Sequence, residues 1–378
     1  MKKSNLTLLF ICTLVVFAGA LIFGAKPAYA GVVYPAAEYE YGGDDRMNIQ
    51  QELDTTGSVT LVDGKTYRLG YSLRVSSNMT INAGSATVIC AKAIMVNIPE
   101  CADYKAIENL TVNGGIWKSE SENGASGSSI KITHGNNIKF NNMKVRNNNA
   151  LGHTIELVAC KNVSIKNCNF APLGTEKSKT EEAIQLDIAS HTTAYFLESE
   201  PFNALIAKQL QNGAACQNIT IANCTITGNR GIVANYTAKE DGKYLKKLHN
   251  NIVLKNNKIT SAGGEAVALF NTKNATVSGN KIICNAKGSD SYTVGLHFDN
   301  FGKTNELKSG KITVKNNTVK GGRQAFMIYS HTASKYGKVT ISSNKLYCKK
   351  GKKAALYAKK DHCTTLKISK NKLYSRNG

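Results

Sequence analysis

Residues 311–319 read KITVKNNTV, and the same nine-residue template recurs along the chain. The clearest other copies are NVSIKNCNF (162–170), NITIANCTI (218–226), NIVLKNNKI (251–259), NATVSGNKI (274–282), KVTISSNKL (338–346) and TLKISKNKL (365–373). Looser copies lie at 78–86, 109–117 and 137–145. Apolar residues alternate within each copy with a period of two, which is the period of a β-strand and not of an α-helix. The template therefore predicts one β-strand in every repeat.

The spacing of the copies predicts how these strands stack. Most copies follow one another at intervals of 23 to 37 residues, and one interval of 56 separates Cys168 from Cys224. A second apolar strand, such as EAIQLDI or VGLHFDN, follows a variable loop in each repeat. Asparagine tolerates the left-handed conformation at bends, and its amides can stack into a ladder. The repeats predict an all-β fold, a solenoid wound from one chain as a right-handed parallel β-helix of about ten rungs.

The chain divides into three parts. Residues 1–30 carry two lysines, a long apolar run and the ending AKPAYA, which is typical of a secretory signal peptide cleaved after Ala30. An uncleaved membrane anchor is the alternative. Residues 31–57 contain a short helix, predicted to cap the first rung, with Asp44 or Asp45 as its N-cap. Residues 58–378 form the β-helix domain, whose C-terminal end is rich in lysine.

The net charge of +22 is concentrated at that end, because residues 335–378 hold 13 Lys or Arg and one acid. In an exported chain such charge indicates an anionic polysaccharide or cell-wall polymer as partner, and not nucleic acid. We expect a secreted monomer without a membrane span after signal cleavage, associated with the cell wall through this end. Protection of the last strand from edge-to-edge pairing is the alternative role of the lysines.

Nine cysteines remain after Ala30. Cys160 and Cys216 occupy equivalent positions in their repeats, and so do Cys168 and Cys224. On adjacent rungs the Cα atoms of each pair would lie about 5 Å apart, which is within disulfide range. These pairs are therefore either disulfides or stacked buried thiols.

The second strands carry the candidate site. When the second strands are aligned on their first inward residue, acid, amide and imidazole side chains fall at the outward positions of the middle rungs. The longest insertions of the chain flank the same sheet. We expect these side chains, Asp187 among them, to be exposed in a cleft; a plain solvated strand face is the alternative. The candidate catalytic residues are Glu156, Glu182, Asp187, His297 and Asp299. The candidate substrate-binding residues are His153, Gln185, Arg230, Asn235, Lys243, Arg323 and Tyr329.

The repeats, together with DDRMNIQQELD, GKTYRL and GGIWKS, resemble the pectate-lyase-like β-helix superfamily over about residues 40–378. That superfamily contains pectate lyases, polygalacturonases, epimerases and phage tailspike depolymerases. The resemblance implies that substrate lies along the sheet of second strands, and it makes Ca²⁺ a candidate cofactor. The chain departs from the family pattern, because it lacks both the paired aspartates and Gly-His-Gly motif of polygalacturonases and the calcium-binding aspartate cluster of pectate lyases.

Three functions are compatible with these residues; we expect the first, and the other two are alternatives. The first is β-elimination on a uronate-containing polysaccharide, in which Arg230, Lys243 or Arg323 would neutralise the carboxylate and His297, oriented by Asp299, would act as base. The second is a glycoside hydrolase that pairs Asp187 with Glu156 or Asp299, since inversion needs carboxyls about 6.5–9.5 Å apart. The third is a non-catalytic wall-binding or glycan-binding protein.

Overall fold

The computed structural model describes residues 31–35, 44–90, 93–120, 128–147, 153–172, 182–190, 193, 209–234, 239–240, 243–244, 247–287, 293–348 and 355–375. The predicted signal peptide and Asn235 lie outside these residues. Within them, no helix is long and apolar enough to cross a membrane.

A short helix lies at the N-terminal end of the solenoid, where the sequence predicts one. It is α1 (Arg46–Thr56), and it ends at Gly57, whose φ of 75° is left-handed. Asp45 is the N-cap residue and makes no side-chain capping hydrogen bond. Asp44 Oδ1, one residue earlier, accepts a hydrogen bond from the backbone N–H of Arg46. Ile49 and Leu53 are fully buried in the core. The helix therefore packs its apolar side onto the first rungs.

Two strands of most rungs belong to one 22-stranded parallel sheet, which bends between them. With strands numbered in chain order, its members are β1 (Gly31–Val33), β2 (Ser58–Leu61), β3 (Thr66–Leu69), β5 (Thr80–Cys90), β7 (Ile107–Glu108), β8 (Thr111–Ser119), β10 (Gly135–Asn141), β11 (Lys144–Asn147), β13 (Lys161–Lys166), β14 (Asn169–Pro172), β16 (Gln217–Ala222), β17 (Thr225–Gly228), β21 (Asn250–Lys255), β22 (Lys258–Ser261), β24 (Ala275–Ser278), β25 (Lys281–Cys284), β27 (Lys311–Lys315), β28 (Thr318–Gly321), β30 (Tyr336–Ser342), β31 (Lys345–Cys348), β33 (Cys363–Ser369) and β34 (Lys372–Ser375).

The remaining strand of each rung lies in a ten-stranded parallel sheet. Its strands, in spatial order, are β4 (Leu73–Arg74), β6 (Met95–Val96), β9 (Ile130–Thr133), β12 (Ile155–Val158), β15 (Glu182–Asp187), β18 (Arg230–Ala234), β23 (Val267–Phe270), β26 (Val294–Asn300), β29 (Gln324–Ser330) and β32 (Leu356–Tyr357). An antiparallel pair, β19 (Lys239–Glu240) and β20 (Lys243–Tyr244), and two 3₁₀ turns, Glu306–Ser309 and Lys360–His362, complete the described elements. Spatial order follows chain order, so the predicted parallel β-helix of about ten rungs is confirmed.

Asparagine builds the bend in the 22-stranded sheet, as the template predicts. The side-chain amide of each ladder residue donates to the amide oxygen on the next rung at 2.9–3.0 Å. The residues of this ladder are Asn257, Asn280, Asn317, Asn344 and Asn371. Asn256 and Asn316, which precede ladder residues, have φ values of 55° and 57°. The ladder satisfies polar groups that the bend buries, because its amides also donate to backbone carbonyls.

The nine cysteines after Ala30 lie in the described part of the chain as free thiols. Cys168 and Cys224 occupy successive rungs, since Asn169 pairs with Thr225, and the backbone N–H of Cys168 donates to Cys224 Sγ at 3.4 Å. The predicted stacking is therefore confirmed, and it takes the form of unbonded thiols.

Candidate functional site

Most of the candidate residues lie on the outer face of the ten-stranded sheet. Ile155, Ile184 and Ile232 point inward into the core, which leaves the alternate side chains facing out. Three columns of polar side chains run from rung to rung along this face. The first contains His153, Glu182, Arg230 and Glu265; the second Lys131, Glu156, Gln185 and His297; the third Asp187, Asp299 and Tyr329.

Glu156 and Asp187 lie diagonally on neighbouring strands, because the register of β12 and β15 places them one rung and two residues apart. This separates their Cα atoms by about 8 Å. Glu156 Oε1 contacts Lys131 Nζ at 2.9 Å, and Glu156 Oε2 accepts a hydrogen bond from the Ser128 hydroxyl at 2.5 Å. Asp187 Oδ1 accepts a hydrogen bond from Gln185 Nε2 at 2.8 Å. The two carboxyls thus have different partners.

Their pKa values shift in opposite directions. Burial raises the pKa of Asp187 to about 7, and the negative charge of Glu156 adds to the increase. Burial also acts to raise the pKa of Glu156, but Lys131, His153 and the Ser128 hydroxyl outweigh it and hold that pKa below its ordinary value. At pH values between the lowered pKa of Glu156 and about 7, Asp187 therefore carries a proton while Glu156 is ionised.

A chain of ion pairs spans five rungs beside this pair. Glu182 contacts His153 Nδ1 at 2.8 Å and Arg230 Nη1 at 2.7 Å. The other amino group of Arg230 contacts Glu265 at 3.0 Å, and Glu265 contacts His297 Nδ1 at 3.3 Å. Because two carboxylates contact its guanidinium, Arg230 has little positive charge left for a substrate.

The same contacts set the charge states of the chain. Burial acts to lower the pKa of His153, but the hydrogen bond and charge of Glu182 outweigh burial and raise the pKa to about 9. For Glu182 and Glu265, burial acts to raise the pKa, and their basic partners hold it below its ordinary value. His153 and both glutamates are therefore charged at neutral pH.

Asp299 contacts two histidines, one of which, His297, is the last residue of the ion-pair chain. Its Oδ2 lies 2.9 Å from His331 Nε2 and 3.6 Å from His297 Nε2. Burial raises the pKa of Asp299, although both imidazoles oppose the increase. β26 lies three strands from β15, so Asp299 and Asp187 are about 14 Å apart along the axis. The expectation that these two could pair as hydrolase carboxyls is wrong, because each rung adds a full strand spacing.

Two buried polar atoms of the site have neither a hydrogen-bond partner nor an ion-pair contact among the described residues. They are Gln185 Oε1 and Arg230 Nε. A buried polar atom without a partner costs about 1–3 kcal/mol. Such atoms are uncommon in folded proteins and can mark the position of a bound ligand or water.

The candidate side chains are less accessible than the sequence suggests. Exposed fractions are 6% for Glu156, 8% for Gln185, 2% for Asp187, 3% for His297 and 2% for Asp299. The expectation that Asp187 is exposed is therefore wrong. Residues distant in sequence cover the outer face: Val158 and Ala159 pack with Ala189 and Ala214, and Val233 and Ala268 pack with Phe270 and Phe301.

The other predicted residues have varied positions. Tyr329 lies in the third column, with its ring 4.8 Å from that of His331 and 4.2 Å from that of His362. Arg323 is half-buried at a turn, where its backbone N–H donates to Thr293, and it is not part of the ion-pair chain. Lys243 lies in β20, but the position of its side chain and the whole of Asn235 fall outside the described part. Within the described ranges, no three His, Cys, Asp or Glu side chains are grouped as metal ligands, so no Ca²⁺ ligands can be named.

Sequence reasoning missed Glu265, Lys131 and Ser128. Glu265 lies two residues before the first inward residue of β23, the same offset that places Glu182 before Ile184 and Arg230 before Ile232. This offset is visible in the sequence and could have identified Glu265. Lys131 belongs to β9, one rung before the aligned strands, and Ser128 precedes it.

Comparisons with known proteins support the architecture. A family model for the "Right handed beta helix region" matches residues 209–377. No curated protein sequence matches the chain significantly. The surface adhesin PfbA of Streptococcus pneumoniae is similar in structure, with a TM-score of 0.60 and 15% identity over 92% of this chain and 93% of that one. A Family 28 exopolygalacturonase of Yersinia enterocolitica has a TM-score of 0.53 and 12% identity over 88% of this chain and 68% of that one. The chain thus has the right-handed parallel β-helix fold.

Proposed function

We propose that this β-helix protein hydrolyses a glycosidic bond of an acidic polysaccharide, with Asp187 as general acid and Glu156 as general base. The opposite pKa shifts of these two carboxyls on adjacent rungs carry the proposal. Inverting glycoside hydrolases need one protonated and one ionised carboxyl about 6.5–9.5 Å apart, with room for a water molecule between them and the sugar. The diagonal separation of about 8 Å between the Cα atoms is compatible with this range.

The contacts of each carboxyl suit its role. Asp187 Oδ1 accepts the hydrogen bond from Gln185, which leaves Oδ2 to carry the proton. Oδ2 would transfer this proton to the glycosidic oxygen as the bond to the anomeric carbon breaks. Glu156 would take a proton from the water that attacks that carbon, since each of its oxygens keeps a free lone pair beside Lys131 or Ser128. Gln185 Oε1, which has no partner among the described residues, could accept a hydrogen bond from a sugar hydroxyl.

The geometry supports β-elimination, the reaction favoured by the sequence, less well. A lyase needs a free cation to neutralise the uronate and a neutral base to remove the α-proton. Arg230 is held between Glu182 and Glu265, and Lys131 contacts Glu156. Both ring nitrogens of His297, the base expected for elimination, face carboxylates of the protein, since Nδ1 lies 3.3 Å from Glu265 and Nε2 lies 3.6 Å from Asp299. His153 cannot replace it, because its pKa of about 9 keeps it protonated at neutral pH.

A non-catalytic glycan-binding protein is the second candidate. The low exposure of Glu156 and Asp187, 6% and 2%, favours it, because a substrate must reach both carboxyls for hydrolysis. In both cases we propose an exported protein that acts outside the cell on an anionic polymer. The AKPAYA stretch at the end of residues 1–30 and the net charge of +22 support this proposal.

Incubation of the purified protein with a panel of acidic polysaccharides, with and without chelator, tests the proposal. Hydrolysis predicts new reducing ends, inverted anomeric configuration and no ultraviolet absorbance from unsaturated uronate. Asp187→Asn and Glu156→Gln should abolish product formation. The control Asp63→Asn, at an exposed turn of the 22-stranded sheet, should not. Unsaturated products would establish a lyase instead, and binding without any product would establish the second candidate.

A further inference from the structure

Lysine and acid are segregated between the two sheets. Across the last five rungs of the 22-stranded sheet, residues 250–261, 275–284, 311–321, 336–348 and 363–375 contain no aspartate or glutamate. The same segments contain Lys255, Lys258, Lys281, Lys311, Lys315, Lys320, Lys338, Lys345, Lys367, Lys370 and Lys372. The ten-stranded sheet, by contrast, holds the carboxylates described above. Over these five rungs the lysines therefore lie on both sides of the bend in the 22-stranded sheet, away from the carboxylates of the ten-stranded sheet.

Four of these lysines share one column, which we call the lysine stripe. It consists of Lys258, Lys281, Lys345 and Lys372, with Thr318 between the second and the third. All four side chains are exposed. Adjacent strands are about 4.8 Å apart, so the stripe is about 19 Å long. Among the described residues, no carboxylate forms an ion pair with any of the four.

Stability does not account for the stripe. Like charges directly opposite each other on neighbouring strands are destabilising, and Lys258 pairs with Lys281 as Lys345 pairs with Lys372. Protection of a sheet edge does not account for all of it either, because Lys258 and Lys281 lie on interior rungs that are paired on both sides. A row of uncompensated ammonium groups is instead complementary to a linear polyanion.

Two aromatic rings indicate what kind of polyanion fits. Tyr347 and Tyr374 form the outward column next to Lys345 and Lys372, and their rings stack at 4.5 Å with an interplanar angle of 6°. Tyr374 is 40% exposed. An aromatic ring can pack against the apolar face of a sugar while a neighbouring ammonium contacts its acidic group.

We propose that the lysine stripe and the two tyrosines bind a linear anionic polysaccharide that runs along the solenoid axis. This site is on the 22-stranded sheet, whereas Asp187 and Glu156 are on the ten-stranded sheet, so a polymer bound at the stripe leaves the carboxyl pair unoccupied. The stripe would thus hold the protein on an acidic glycan surface independently of any cleavage.

Binding of labelled polygalacturonate to the full chain tests this proposal, with neutral dextran and duplex DNA as comparison ligands. Replacement of all four stripe lysines by glutamine should weaken polygalacturonate binding at least about tenfold, because it removes every ammonium group of the stripe. It should also reduce the salt dependence of binding. The matched control replaces Lys105, Lys287, Lys303 and Lys308, which are exposed elsewhere, by glutamine and should bind nearly as the parent does.

A second pair of variants tests the tyrosines. Tyr374→Ala should weaken binding to polygalacturonate but not to polyphosphate, which has no sugar face, and the control Tyr34→Ala, at a tyrosine that is 68% exposed, should change neither. Equal losses in the stripe and control lysine variants would refute the proposal, since net charge alone would then explain binding. Duplex DNA binding of equal strength and equal dependence on the stripe would also refute it, in favour of a nucleic-acid surface. None of these results depends on hydrolysis, because the readout is binding alone.

Discussion

Asp187→Asn should stabilise the folded protein at alkaline pH while it abolishes activity. In the wild type, burial raises the pKa of Asp187 from 3.8 to about 7. The folded state therefore binds a proton more tightly than the unfolded state, and the free energy of unfolding falls as pH rises from about 4 to about 7. The shift corresponds to a loss of about 4 kcal/mol over that window, of which about 3 kcal/mol falls above pH 5.

Asparagine has no titration in this range, so the variant should lose none of that stability. Its Oδ1 can still accept the hydrogen bond from Gln185, but its new amide N–H groups add an unsatisfied buried donor that costs about 1–3 kcal/mol. At pH 8 we expect the variant to be more stable than the wild type by about 1–3 kcal/mol. At pH 5 the two proteins should be nearly equal, or the variant slightly less stable.

Urea unfolding of both proteins at pH 5 and pH 8 measures the effect. The quantity to compare is the difference in unfolding free energy between the two proteins, measured once at pH 5 and once at pH 8. Contributions from His153, Glu156 and the other titrating groups largely cancel in this difference. Asp63→Asn serves as control, since the Asp63 carboxyl is exposed and should give no such change. If the stability difference is the same at both pH values, Asp187 does not hold a proton at neutral pH, and its role as general acid fails with it.

Three further predictions follow from the same contacts. If Asp187 is the acid, kcat/KM on a cleaved polysaccharide should fall as pH rises through about 7, because the proton is then lost, and a rate that stays constant to pH 9 would exclude this carboxyl as the donor. Arg230→Gln should lower the free energy of unfolding by about 3–5 kcal/mol, because it leaves Glu182 and Glu265 buried without their shared cation; a loss below 1 kcal/mol in urea unfolding would contradict this. Asn317→Ala should destabilise the protein by about 2–4 kcal/mol through broken ladder hydrogen bonds, whereas the exposed neighbour change Lys315→Ala should have little effect in the same measurement.

The fold could be read from the sequence because its signals are local. Each template copy contains the alternation of a strand and the asparagine of the bend, so Asn280, Asn317 and Asn344 identify neighbouring rungs without any knowledge of long-range contacts. Alignment of the second strands likewise placed Glu156, Asp187 and His297 on one face. These inferences required only the strand period and equal spacing of rungs.

The burial and the protonation states of the site could not be predicted from the sequence in the same way. The sequence shows that Asp187 faces outward, but its burial depends on residues that arrive from elsewhere in the chain, such as Ala214 over Val158. Tyr104 illustrates the range of such contacts, because its hydroxyl donates to the carbonyl of Ala215, 111 residues away. Since burial is the main cause of the raised pKa of Asp187, the sequence could suggest a carboxylate but not its protonation state.

The composition of the outer face of the ten-stranded sheet also favours a functional site over a structural role. On β18 and β23 the outward positions beside Gln185 and His297 are filled by Val233 and Ala268, so this face accepts apolar side chains. Replacement of buried ion pairs by apolar residues of similar volume is often neutral or stabilising by about 1–4 kcal/mol. A chain of ion pairs from His153 to His297, next to a protonated Asp187, is therefore not the arrangement that stability alone would select. Its retention on rungs where valine and alanine also fit is what we expect if these charges bind or transform a ligand.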